Sequence, residues 1–152
     1  MWNYYLIFFA TFFFSCGKNT YENYHSFDHN GWNTDSIAVF KYNIYDTTKS
    51  YDLTLKIRHT TDYEFQNLFL FLLEDKKDTI EIMLSNKDGK WLGSGISDIR
   101  EIEYVFQKKR EFKQKGEHIL RIEQAMRYGA LNRIEKLEHI LDVGLIVSPK
   151  NE

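Results

Sequence analysis

Cysteine occurs once in the 152 residues, at Cys16, directly after Phe13-Phe14-Ser15. A small residue before a lone cysteine, at the end of an apolar run, is a loose form of the cleavage box at which exported bacterial proteins are lipidated. The serine fits a peptidase cleft, and the free thiol can take diacylglycerol. Each methylene buried afterwards contributes about 0.8 kcal/mol, so several acyl chains on one residue hold a whole protein at a bilayer. The solitude of the cysteine agrees, since an exported domain stapled by disulfides needs at least a pair.

Other residues with chemical potential are weaker candidates. His25 and His29 are four apart, and Asp28 alone does not complete a metal site with them. His59 with Asp62, and His118 with Glu117 and Glu123, offer acid and base but no third group that fixes geometry. Asp98, Glu101 and Glu103 lack the interval of oxygen ligands found in a calcium loop. Nucleophile-elbow, dinucleotide-binding and HExxH patterns are missing, and the glycines of Lys90-Trp91-Leu92-Gly93-Ser94-Gly95 are not spaced as a phosphate loop. The sequence therefore gives no expectation of a catalytic residue, metal, cofactor or small-molecule substrate. A formal charge of -2 lacks the footprint of a nucleic-acid binder.

Two features read as contact or packing sites. Trp91, beside Gly93 and Gly95, could stack on a sugar ring or meet a partner protein, but a plug at one end of the fold is the favoured reading. Trp32 is expected to plug the other end. Lys108, Lys109, Arg110, Lys113 and Lys115, around Glu111, form a basic loop that could meet anionic headgroups or an acidic protein patch. A solvated hairpin tip explains them equally well.

The elements that must position these residues follow from periodicity. The first fifteen residues carry no charge, and their apolar core, Tyr4 to Phe14, is about eleven residues. That suits a signal segment and falls short of the roughly 20 needed to span a bilayer. The expected organisation is a signal peptide at 1–15, a lipidated cysteine with its tether at 16–33, and one domain at 34–149. The tether is expected to run into an edge strand near Tyr21 to Phe27.

Ten Tyr, twelve Phe and three Trp suit strands better than helices. Phe40, Tyr42 and Ile44 alternate with Lys41 and Asn43. Tyr51, Leu53, Leu55 and Ile57 alternate with Asp52, Thr54, Lys56 and Arg58, and Ile80, Ile82 and Leu84 form another such set. The run Asn67 to Asp75 is apolar on both faces and short, and predicts a central strand whose second face is covered by a helix or a neighbouring loop. Asn86-Lys87-Asp88-Gly89 is a turn, with Gly89 at positive φ. Strands are also expected at Ile102 to Phe106, from His118, and at Val143 to Val147, the last ended by Pro149. Apolar residues at 131, 134, 137, 140 and 141 predict a short helix or helical turn over 131–141. The fold class is all-β: a two-sheet antiparallel sandwich of about seven or eight strands, jelly-roll or immunoglobulin-like.

Several stretches together carry a resemblance. They are Cys16, Leu55-Lys56-Ile57-Arg58-His59, Tyr63 leading into Asn67-Leu68-Phe69-Leu70-Phe71, Asp78-Thr79, Asp88 to Gly95, Gln124-Ala125-Met126-Arg127 and Asp142-Val143-Gly144-Leu145. In order and spacing the chain resembles the gliding motility lipoprotein GldH family of Bacteroidetes-type bacteria over nearly its whole length. Glu64 stands where that family usually has proline. The resemblance implies a noncatalytic, palmitate-bearing envelope lipoprotein needed for gliding and linked to secretion through the outer membrane (type IX secretion), with envelope proteins and the bilayer as partners. It implies no active site. Without an acidic run after Cys16, the expected location is the periplasmic face of the outer membrane. A carbohydrate-binding sandwich using an exposed Trp91 is the alternative.

Overall fold

Strict alternation of apolar and polar side chains cannot be satisfied by a helix, and the chain resolves it as strands whose inward faces meet in one core. The computed structural model describes residues 20–28, 31–130 and 132–150. The expected signal segment, Cys16 and His29 lie outside them. The strands are β1 (Tyr21–Ser26), β2 (Gly31–Asn33), β3 (Ala38–Ile44), β4 (Ser50–Thr60), β5 (Asn67–Leu73), β6 (Lys77–Met83), β7 (Ile99–Glu111), β8 (Gly116–Gln124), β9 (Lys136–Glu138) and β10 (Ile140–Lys150).

Two four-stranded antiparallel sheets, in the orders β1-β10-β4-β7 and β3-β8-β5-β6, form the sandwich, while β2 and β9 make a separate ribbon. If the ribbon is set aside, the first of the eight sheet strands pairs with the last, the second with the seventh, the third with the sixth and the fourth with the fifth. That is one long hairpin folded over on itself, with β10 beside β4 and β8 beside β5 closing the sheets. The pattern is a jelly roll and decides against the immunoglobulin-like alternative.

The core follows the predicted faces. Ala38, Phe40, Tyr42 and Ile44 of β3 are buried, as are Tyr51, Leu53, Leu55, Ile57 and His59 of β4. Leu68, Leu70 and Leu72 of β5 join β3 on the inner face of the second sheet, and Val143, Leu145 and Val147 of β10 join β4 on that of the first. The second face of β5 holds Phe69, Phe71 and Leu73, half-buried. Its cover comes from side chains, with the Lys77 ammonium 3.6 Å from the Phe71 ring centroid and the Met126 sulfur accepting from the Phe69 N–H.

Four expectations change. In place of a helix over 131–141 stand β9 and the start of β10, separated by His139 at φ 70°. Leu137 lies opposite Trp32 in the ribbon and Ile140 joins the core, so their spacing of three arises because a left-handed residue resets the alternation. The edge strand expected near Tyr21 to Phe27 is β1, at the edge of its sheet, but β2 also lies within the 16–33 assigned to the tether, and the sandwich begins at Tyr21 rather than at residue 34. β10 continues through Pro149 to Lys150, with Pro149 opposite Tyr51. Lys108, Lys109 and Arg110 belong to β7 and not to a loop. Register shifts opposite Tyr51, Leu53 and Thr54, with Lys109 at φ 52°, bulge the strand there.

Candidate functional site

The registers define the two ends of the sandwich. Tyr21, Val147, Leu53 and Gln107 lie in one row, at the end where the described chain begins; Ser26, Asp142, Arg58 and Glu101 lie in a row near the other. Trp32 and Trp91 belong to the far end, because β1 carries the chain there before Trp32 and because β7 starts there after Trp91. The expectation that they plug opposite ends is thereby corrected.

Trp32 is fully buried, stacked on Phe27 at 4.4 Å, and donates its indole N–H to the Ser36 carbonyl at 2.7 Å. Trp91 is half-buried, bridged to Ser85, with its ring 4.8 Å from that of His59. It is packed against the core and is not the open platform that a sugar-stacking role needs. Its glycines act as the sequence indicated. A Cβ on Gly93 would lie 2.1 Å from the Glu101 carbonyl oxygen, and one on Gly95 would lie 1.9 Å from that of Ile99, so the loop lies directly on the backbone of β7. Gly89 and Gly93 take positive φ, 78° and 77°.

Period two also separates the residues proposed as acid and base. His59 points into the core while Asp62 lies exposed beyond the end of β4. The His59 Nδ1 meets the Thr60 carbonyl at 2.8 Å, and Nε2 has no hydrogen-bond partner among the described residues. Burial lowers the His59 pKa, the contact with Thr60 opposes that shift, and Arg100 adds to it. His118 faces inward beside Tyr42, whereas Glu117 and Glu123, at odd offsets, face outward on β8. Glu74, which carried no signal as a partner in the sequence, is its acidic neighbour at 3.7 Å. His25 packs on Phe27, with ring centroids 5.2 Å apart.

Glu74 gathers a polar cap over the near end. It accepts from the Tyr42 hydroxyl at 2.6 Å and from the Arg110 guanidinium, which also lies 4.4 Å from the Phe112 ring centroid. Burial, then the Glu74 carboxylate, raises the Tyr42 pKa far above its usual range. Arg110 is thus engaged inside the fold, while Lys108 and Lys109 remain exposed.

Two of the three carboxylates considered for calcium, Glu101 and Glu103, are taken up by cations, while the exposed Asp98 has no ion pair within 4 Å among the described residues. Glu101 meets Arg58 at 2.9 Å and Lys56 at 3.7 Å, Glu103 meets Lys56 at 3.3 Å, and Asp142 meets Arg58 at 3.2 Å. Burial disfavours the Lys56 ammonium, but Tyr24, Glu103 and Glu22 outweigh it and raise its pKa. Tyr24 lies across Gly144, where a Cβ would come within 2.7 Å of the ring. Among the described residues no group of three or more His, Cys, Asp or Glu side chains is arranged to hold a metal, and no helix is long and apolar enough to cross a membrane.

The class defined by these features is an antiparallel jelly-roll sandwich whose prominent side chains are spent on packing, caps and ion pairs. The model of the GldH lipoprotein family matches residues 19–147, and the chain belongs to that family. It is 37% identical over 147 residues to a gliding motility lipoprotein GldH homolog of Christiangramia forsetii, an alignment spanning 91% of this chain and 89% of the relative. It is 35% identical over 150 residues to the gliding motility lipoprotein GldH of Flavobacterium johnsoniae, spanning 93% and 92%. No solved structure matches the chain. The stretches that carry the resemblance have physical roles. Lys56 and Arg58 belong to the outer ion-pair network, Gly144 leaves room for the Tyr24 ring, His59 lies against Trp91, and Gln124 is buried, donating to the Ile134 carbonyl at 2.6 Å.

Proposed function

We propose that the protein is a lipid-anchored component of the gliding motility apparatus that acts by contact and not by catalysis. It is held by acylated Cys16 at the periplasmic face of the outer membrane and supports assembly of machinery linked to secretion across that membrane. The observation that carries this reading is near full-length similarity to two proteins named as gliding motility lipoproteins or their homologues. The position of Cys16 after an uncharged apolar run supports the anchor, and a sandwich with committed side chains suits a protein that presents surfaces.

Recovery from mildly solubilised envelopes tests the role. The intact chain is expected to bring down a constant set of envelope proteins, and the Cys16→Ala form to lose them together with its place in the membrane fraction. Crosslinking that returns the protein alone at every crosslinker density contradicts an assembly role.

A further inference from the structure

Loops from both sheets converge on the end of the sandwich where the described chain begins: residues 45–49, 74–76 and 112–115, with Lys150 at the end of β10. Several cations there already have partners: Lys49 with Asp46, Lys150 with Asp52, and Arg110 with Glu74 and Asp75. Lys108, Lys109, Lys113 and Lys115 are exposed, outnumber Glu111 and Glu117 beside them, and have no ion pair within 4 Å among the described residues. Lys49, Lys109 and Lys150 line a depression of about 520 Å³ with Thr48, Ser50 and Glu111.

The bulges in β7 sort these charges. Arg110, opposite Tyr51, closes the interior, and the Lys109 N–H donates to Asp52 at 2.9 Å, which leaves the Lys109 ammonium outside. The same end receives the N-terminal segment. From Cys16 to Tyr21 are five residue steps, at most about 18 Å of extended chain. A sandwich whose longest strand has 13 residues is about 40 Å along that strand, so this tether keeps the lysine-bearing end nearest the anchor.

We infer that this end docks on anionic phospholipid headgroups of the bilayer holding the anchor, with Lys109, Lys113 and Lys115 as the contacts, so that the Trp91 loop points away from the membrane. The inference rests on the proposed lipidation of Cys16 and adds to it an orientation and a lipid class. A lipid chain alone permits rotation; lysines attracted to an anionic surface remove that freedom.

Because the sequence holds one cysteine, and lipidation occupies it, Gln114→Cys and Ile96→Cys each introduce a unique thiol for a fluorophore, at the near and far ends. The lipidated chain is placed on phosphatidylethanolamine vesicles containing phosphatidylglycerol, or on phosphatidylcholine alone, each with a headgroup-labelled quencher lipid. The expected result on the anionic vesicles is quenching several-fold stronger at position 114 than at 96. The difference should shrink on phosphatidylcholine, at roughly 1 M salt, where the screening length falls to about 3 Å, and in a Lys109→Glu/Lys113→Glu/Lys115→Glu variant. These three side chains are exposed, so the variant is expected to keep the wild-type strand spectrum. Equal quenching at both positions on anionic vesicles, or quenching at 114 indifferent to lipid charge and to the substitutions, overturns the docking and leaves the anchor standing. A chain that does not float with vesicles overturns the anchor and the docking together.

Discussion

His59 is the titrating group whose burial has the clearest consequence. Its folded pKa is lowered, so in the window below about 6.5 the unfolded chain binds a proton that the folded chain does not. The histidine's contribution is therefore complete above that value and is lost as pH falls toward the lowered folded pKa. Thermal unfolding from pH 7.5 down to 5 should show a falling midpoint in the native protein and a shallower fall in His59→Gln; an equal slope would remove the assignment. Two glycines differ in the same way that their surroundings differ. Gly95→Ala forces a Cβ into the Ile99 carbonyl and should cost about 1–3 kcal/mol in urea unfolding. Gly89→Ala meets open space but a φ of 78°, for a cost of about 1–2 kcal/mol. By contrast Arg58→Ala, which breaks pairs with Glu101 and Asp142 on a partly exposed face, should cost no more than about 1 kcal/mol, less in high salt.

Strand alternation was the legible part of the sequence because period two is enforced at every position of β3 and β4, where one face is buried throughout. The β9–β10 segment was not legible. Its apolar positions fit a helical stripe as well as two strand pieces, and only His139 in the left-handed region distinguishes them. His139→Gly should therefore stabilise by about 1 kcal/mol, and His139→Val should destabilise by a similar amount or more, in urea midpoints. The ribbon makes a second measurable point at this scale. Trp32 is fully buried between Phe27 and Leu137, so Trp32→Ala should cost about 3–5 kcal/mol. A loss under 1 kcal/mol would mean that the β2–β9 ribbon is not part of the cooperative unit.

At the scale of the whole molecule, the number of sheet strands and the two-sheet plan could be read from the chain, but the nesting of β1 with β10 could not. Pairing between strands at opposite ends of the sequence leaves no local trace, since each strand needs only one dry face whichever partner it finds. The same limit hid the Glu74 cap, which draws Tyr42, Arg110 and His118 from three strands, while the tempting neighbours Glu117 and Glu123 were excluded by strand parity. A jelly roll starting at Tyr21, five steps after the only cysteine, would be held on a short leash by the lipid proposed at Cys16. Mass measurement of the N-terminal peptide from isolated membranes tests the lipid anchor directly: a chain beginning at a diacylglycerol-bearing, acylated Cys16 is expected, and a peptide beginning at Met1 with a free thiol, recovered from the soluble fraction, would contradict it.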